Sequence, residues 1–358
     1  MQTDIIKTFP YKEICGALHL HTKYSDGGVT YPQLIDAAKQ VGLQYIVVTD
    51  HMSLAGKESG YEGFHDGLFV CVGYEHNDKA NKNHYLAIGT KSVITNQESV
   101  QGYIDLIKKD GGIGFCAHPI EKRHYFTAYP PYPWTDWTAV GYDGFELWNQ
   151  MSDWLENLKS KLHFVKLFYP RRFLFEIRKD MLALWDNANR ERFVSGIGGV
   201  DAHTMKIKFG IFPLTVFPIK VELKGIRTHL YLSEPLSEND PVQAKKTIVA
   251  ALKNGHGFIS NFRRMDASGT CISIEFAGKI LCPGHHDEEI ELPALLLVNL
   301  PNIAEVRLVK NGSFMESKTG KAVTFTIKEK GLYRIEAWLG KHAWIYSNPF
   351  IVGGYPLW

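Results

Sequence analysis

Apolar residues in the first two thirds of the chain follow two alternating patterns, short continuous runs and helical stripes. Cys15 to Leu20, Tyr45 to Thr49, Phe69 to Tyr74, Ile113 to Ala117, Gly144 to Trp148 and Val194 to Val200 have the length and composition of buried strands. Between them, Leu34, Ile35, Ala38 and Val41 recur at helical spacing after Thr30, which can cap the helix, and the stripe stops at Gly42. Val100, Tyr103, Ile104 and Ile107 repeat the pattern ahead of Gly111 and Gly112. Strands alternating with helices predict a parallel sheet with right-handed crossovers, either open or closed into a barrel.

Beyond about residue 267 the pattern changes. Cys271 to Phe276, Glu289 to Leu300, Ala304 to Lys310, Ala322 to Lys328, Tyr333 to Trp338 and Ala343 to Val352 alternate or cluster β-branched and apolar residues, and Asn311-Gly312 between two of these runs is a hairpin signal. The expected division is 1–266 and 267–358, the second part an antiparallel β-sandwich. The join is expected near Arg263 to Thr270, after a helix around Val242 to Lys253.

Composition narrows the class of protein. The 358 residues exceed the usual single-domain size, and 45% hydrophobic content suffices for a core. Forty Lys and Arg against 38 Asp and Glu leave a formal charge of +2, without the basic excess of a nucleic-acid coat; Arg171-Arg172 stand without a wider basic run. No segment approaches the roughly 18 apolar residues of a membrane span, and Met1 to Tyr11 holds no signal-peptide core. The expectation is a cytoplasmic protein with no membrane or nucleic-acid partner. Five cysteines without CxxC spacing predict reduced, mostly buried thiols.

The chemistry lies where the imidazoles and carboxylates fall. His19 and His21 flank Leu20 at the end of the first strand, so alternation points both rings to one side. Asp26 follows in a short turn, His51 and Glu75 end the next two strands, and His84 opens the apolar stretch after them. His118 ends the run Ile113 to Ala117, and Asp201 and His203 end Val194 to Val200. In a closed parallel barrel these ends meet on one rim. Independent structural histidines have no reason to recur at the same end of successive strands, so a metal centre is the better reading. Its six neutral imidazoles and three carboxylates carry about −3, too little to neutralise two or three divalent ions, which suits an anionic substrate.

Leu18-His19-Leu20-His21-Thr22 to Ser25-Asp26-Gly27, then Thr49-Asp50-His51, Glu75, Ala117-His118-Pro119 and Asp201-Ala202-His203, resemble the metal motifs of the PHP (polymerase and histidinol phosphatase) superfamily. The resemblance implies a distorted (β/α)7 barrel, a TIM-like fold, holding two or three zinc, manganese or iron ions, with phosphoesterase activity in most members. It further implies one site from His19, His21, Glu75 and Asp201, a second from Glu75, His84 and His118, and a third from Asp26, His51 and His203. The β-rich tail, with Ile226-Arg227-Thr228, Tyr333-Arg334-Ile335-Glu336 and Ser347-Asn348-Pro349, is similar to a branch that includes a carbamate hydrolase. Amidohydrolase barrels also begin with HxH but commonly use a bridging lysine and a lone late aspartate, which fits this chain less well.

The leading expectation is hydrolysis of a small-molecule phosphate mono- or diester by a metal-bound hydroxide. Hydrolysis of a carboxylic ester, amide or carbamate is the alternative; a metal-stabilised carbohydrate- or partner-binding protein without catalysis is a third reading. Asp50 and Glu146 are candidates for orienting a ligating imidazole. Arg123 and His124 are the candidate catalytic cations for a phosphate, ahead of Lys206 and Arg263. Tyr129 to Trp137, too Pro-rich for a helix, is a candidate aromatic lid. Cys282-Pro283-Gly284-His285-His286-Asp287 looks like a metal cluster but falls at a turn of the β-rich part, and packing is the favoured reading there.

Overall fold

The structure is a computed structural model and describes residues 9–123, 130–160, 163, 170–209, 212–285 and 290–355. His124, Tyr129, His286, Asp287 and Glu289 lie outside the described residues, as does the side chain of Lys206. It is a mixed α/β fold with one large sheet, and the alternation of runs and stripes becomes strands and helices. In order come β1 (Lys12–Leu20), α1 (Tyr31–Gln40), β2 (Tyr45–Val48), β3 (Gly63–His65), β4 (Leu68–His76), β5 (Tyr85–Ile88), α2 (Val100–Lys109) and β6 (Ile113–Cys116). Then follow β7 (Gly144–Asn149), α3 (Gln150–Glu156), α4 (Lys179–Ala188) and β8 (Ser195–Gly199). The helix starts have the chemistry their sequences advertise. Thr30 and Gln33 form a reciprocal capping box on α1, and Ser99 caps α2.

The expectation of a parallel sheet holds only in part. β1–β2, β2–β4, β6–β7 and β7–β8 pair parallel, but β5 is antiparallel to both β4 and β6. The physical reason for the first reversal is length: β4 ends at His76 and β5 begins at Tyr85, too short a link for a crossover helix. Past β8, the chain returns hydrogen bonds to β1, Val200 N to Leu18 O at 2.9 Å and Ala202 N to His19 O at 3.3 Å. The ends of the first and last of these strands therefore lie side by side.

Both faces of these strands are buried, as their near-continuous apolar runs require. Ile14, Leu18, Tyr45, Val47, Phe69 and Cys71 share one cluster with Ala244, Ile248 and Leu252 of α5 (Pro241–Lys253). Residues of opposite parity, Ala17, Ile46, Val48, Val70 and Val72, pack instead with Leu34, Ala38, Tyr103 and Ile104 of α1 and α2. A hairpin, β9 (Met205–Phe209) and β10 (Phe212–Val216), precedes β11 (Ile226–Leu232) and β12 (Gly257–Asn261). These last two strands have no counterpart in the sequence reading; β11 pairs antiparallel with the free side of β1, and β12 with β11.

The second part is β throughout: β13 (Cys271–Phe276), β14 (Lys279–Leu281), β15 (Ala294–Lys310), β16 (Ser313–Ile327), β17 (Gly331–Leu339), β18 (His342–Ser347) and β19 (Phe350–Val352). Asn311-Gly312 forms the turn of the β15–β16 hairpin, both residues at positive φ. An irregularity between Asn299 and Ala304 divides β15, whose first half pairs with β13 and whose second half pairs with β17. β18 pairs with β12, so main-chain hydrogen bonds run unbroken from one part into the other. All five cysteines are free and buried. Among the described residues no helix is long and apolar enough to cross a membrane.

Candidate metal centre

Strand ends carry the site. His19, next to last in β1, has φ 61°, where the register against β2 slips between Ala17 and Leu20. Simple alternation is therefore not what aims the two rings: a kink in the strand turns His19 toward its neighbours. His118 at φ 30° and Asp201 at φ 56° are likewise left-handed. Such conformations cost non-glycine residues on the order of 1–3 kcal/mol each and persist where the surroundings impose them. Three of them at candidate ligands mark this rim as a place where the backbone is bent to deliver side chains.

All nine candidates converge. Glu75, at 1% exposure, lies at the centre. Its Oε2 is 3.0 Å from His19 Nε2 and 3.2 Å from His21 Nε2; its Oε1 is 2.7 Å from His84 Nδ1 and 3.3 Å from His118 Nε2. Asp201 Oδ1 stands 3.5 Å from both His19 Nε2 and His21 Nε2. Asp26 Oδ2 is 3.6 Å from His51 Nε2 and 3.2 Å from His203 Nε2, and His51 Nδ1 reaches back to Glu75 Oε2 at 3.5 Å. Ligand atoms of His19, His21 and Glu75 lie close enough to hold one ion, as do those of His51, Glu75 and His84, of His19, His118 and Asp201, and of His21, Asp26, His51 and His203.

The donor set fits divalent ions on grounds internal to the chain. His19 Nδ1 donates to Glu146 Oε1 at 2.8 Å, which fixes the proton there and turns the Nε2 lone pair toward Glu75 and Asp201. Lone pair facing carboxylate requires a cation between them, either a proton or a metal ion. Neither nitrogen of the fully buried His21, nor Nδ1 of His118, has a hydrogen-bond partner. Unsatisfied buried polar atoms cost about 1–3 kcal/mol each, and coordination would relieve that cost.

Without an ion, protons take its place. Burial pulls His21 and His118 down, but the nearby carboxylates of Asp201 and Glu75 at His21, and the hydrogen bond to Glu75 at His118, prevail and hold both at about 9. His19 is also driven well above its ordinary value, against its burial, by Glu146, Asp201 and Glu75. Burial would raise Glu75 and Asp201, yet the surrounding imidazoles keep both carboxyls well below the usual range. His51 goes the other way, lowered to about 4, chiefly by burial.

The supporting residues sort by contact. Glu146 holds His19 and, through Oε2, accepts from His118 N at 2.8 Å and Asn149 Nδ2 at 2.9 Å. Asn149, which sequence reasoning missed, also reaches Asp201 Oδ2 at 3.2 Å while capping α3 through Ser152 N. Its only sequence signal was an Asn between a strand and a helix. Among the described residues Asp50 hydrogen-bonds to no imidazole; it accepts from Thr22 N, Thr22 Oγ1 and Ser25 Oγ and so shapes the turn that carries Asp26. Arg123 donates through Nε and Nη2 to Glu121 Oε1 at 3.0 and 2.8 Å and stacks over Tyr132. Tyr132 in turn stacks on His84 at 5.0 Å. The described part of the Pro-rich segment, from residue 130, thus covers His84, pinned by Glu121 Oε2 accepting from Tyr132 N and by Asn83 Oδ1 accepting from Thr135 N.

Two substitutions test this framework. Glu146→Gln places an amide against donors that need an acceptor and is expected to lower metal affinity about 10–100-fold, as loss of an orienting partner does; isothermal titration with zinc measures it. Gly28 donates its N–H to His203 O at 2.6 Å, and a Cβ there would sit 1.7 Å from Thr204 O. Gly28→Ala is expected to destabilise by about 1–3 kcal/mol and to loosen the Asp26–His203 contact, read by denaturant unfolding and by metal stoichiometry.

Residues 17–129 match the model of the PHP domain. That stretch resembles a PHP domain, and the His, Asp and Glu groups gathered at the strand ends could hold metal ions. Among solved structures it is similar to a two-domain protein of Bacteroides vulgatus ATCC 8482 described as containing a predicted PHP-like metal-dependent phosphoesterase. The two share 15% identity over 95% of this chain and 96% of that one, with a TM-score of 0.46. It is also similar to PsfC of Pseudomonas syringae PB-5123 (13% identity, 68% of this chain, 90% of that one, TM-score 0.42). A third similarity is to an amidohydrolase of Chromobacterium violaceum with bound sulfate and no metal (15%, 52% and 87%, 0.34). No curated protein matches the chain.

Proposed function

We propose that the protein is a phosphoesterase hydrolysing a small-molecule phosphate mono- or diester at a centre of two or three divalent ions of the zinc, manganese or iron kind. The observation that carries this reading is Glu75, whose two oxygens face separate sets of imidazoles, His19 with His21 and His84 with His118. One carboxylate between two sets is the arrangement a bridged pair of ions needs, and paired ions suit in-line displacement at phosphorus. In this assignment His19, His21, Glu75 and Asp201 hold one ion, Glu75, His84 and His118 another, and Asp26, His51 and His203 a third, within a distorted (β/α)7 barrel of residues 1–266 followed by a β-sandwich. When bound, the ions supply Lewis acidity toward the phosphoryl oxygens and activate water.

The chain's own groups do the positioning. Glu146 keeps the proton of His19 on Nδ1, and Tyr132 shields His84 from solvent. Arg123, one ring removed from His84 and steadied by Glu121, is the cation assigned to the anionic substrate. The test is metal analysis of the purified chain followed by a screen of aryl phosphate, bis-aryl phosphate and aryl ester with added manganese or zinc. Phosphate turnover lost in His118→Ala and Asp201→Ala is expected. Ester turnover without phosphate turnover would transfer the assignment to a carboxylic ester, amide or carbamate, and a metal-loaded chain inert to all three would point to a binding protein.

A further inference from the structure

We propose that His256, Cys282 and His285 form a second, mononuclear metal site for a zinc-class ion, clipping the turn after α5 to the turn after β14. One ligand atom from each of the three side chains lies within 4.8 Å of the others. Sequence spacing showed Cys282 and His285 but could not supply a partner, since His256 stands twenty-six positions earlier in the other part of the chain. The fold supplies it.

Two turns are pressed together to do so. Gly284 adopts φ 88°, and a Cβ at that position would lie 2.0 Å from Asn254 O and 2.7 Å from Gly255 O. Only glycine permits this approach. Main-chain bonds pin the second turn further, Gly284 N to Pro349 O at 2.9 Å and Ile351 N to His285 O at 3.2 Å. The closeness brings the His256 and His285 rings to 4.6 Å, beside the buried sulfur of Cys282.

The spacing is that of co-ligands. Zinc takes sulfur at about 2.3 Å and imidazole nitrogen at about 2.05 Å, and a tetrahedral angle between them spans about 3.6 Å. Cys282 Sγ and His285 Nδ1 are 3.6 Å apart. His285 Nδ1 also lies 3.0 Å from Cys282 O; with no ion bound it donates its proton there, and ligation moves that proton to Nε2. The two rings are parallel within 5°. An ion lies in the plane of each ring that binds it, so His256 must swing out of the stack, a side-chain rotation its partial exposure allows.

One thiolate and two imidazoles favour zinc over manganese, magnesium or calcium. The site differs chemically from the nine-residue centre, which contains no sulfur, and the difference makes it separately observable. The full chain, stripped with chelator, is titrated with cobalt(II), whose thiolate charge-transfer absorption reports sulfur ligation alone. The expected result is a band saturating at one ion per chain, displaced by zinc, absent in Cys282→Ser and weakened about tenfold or more in apparent affinity in His256→Ala. No such band, or one that survives in folded Cys282→Ser, overturns the proposal. Should Cys282→Ser fail to fold by circular dichroism, His256→Ala decides: an undiminished band and affinity there overturns it equally.

Discussion

Glu75→Gln is expected to reduce turnover by about 10³-fold or more and to remove at least one metal ion per chain. Losing a group that merely orients a ligand costs about 10–100-fold, and Glu75 sits deeper than that, between two sets of imidazoles. Glutamine keeps the shape but offers one oxygen, so whichever way the amide turns, either His19 and His21 or His84 and His118 face an NH₂ group. In the metal-free protein the same change strips imidazolium charges of their nearest anion. Breaking a buried pair from one side costs on the order of 3–5 kcal/mol, so chelated Glu75→Gln is expected to melt well below chelated wild type. Turnover, elemental analysis and thermal melts on one preparation separate these effects. Full metal content with wild-type turnover would mean that Glu75 bridges nothing.

Much of this centre was legible because its chemistry obeys a positional rule. Imidazoles and carboxylates that interrupt apolar runs at one end of successive strands are visible in sequence, and His19, His21, Glu75, His118, Asp201 and His203 all follow that rule. What could not be read was the backbone that delivers them. Left-handed conformations at His19, His118 and Asp201 have only a weak residue signal, since histidine and aspartate tolerate that region but none of the three is glycine, which would mark it. The antiparallel placement of β5 was hidden for a related reason, because four buried residues read alike in either direction. β11 and β12 were missed because their interior polar residues break the apolar pattern. Arg227, His229 and Ser260 are buried there in side-chain bonds, His229 to Glu13 Oε1 and Ser260 Oγ, and Arg227 to the carbonyls of Leu223 and Val41. Tertiary partners at distant positions made those residues compatible with strands, and local pattern does not record them. Asp50 shows the converse limit: its place beside His51 suggested an imidazole partner, whereas the nearby donors of Thr22 and Ser25 claim it.

Proton and metal compete for the same lone pairs, which predicts opposite pH trends for the chelated and metal-loaded protein. His21 and His118, raised to about 9 in the metal-free fold, contribute stability that is complete below the unfolded value of about 6.5 and is lost as pH rises through about 9. Glu75 and Asp201, held low by the imidazoles around them, contribute stability present above the ordinary carboxylate range and lost only as pH falls through their depressed values. For these groups together, the chelated protein is expected to be most stable between about pH 5 and 6.5 and to weaken toward pH 9. An added ion must displace the protons of His21 and His118, which becomes easier over that same interval. Each displaced proton changes apparent affinity by up to about tenfold per pH unit, so two allow about a hundredfold. His51, lowered to about 4, is already deprotonated in the folded chain there and adds no slope to the ion's affinity. Melting the chelated and zinc-saturated chain at intervals from about pH 6 to 9 should show the metal-induced shift growing with pH while the chelated baseline falls. A shift that stays flat across the interval would mean that these imidazoles are not the groups the ion displaces.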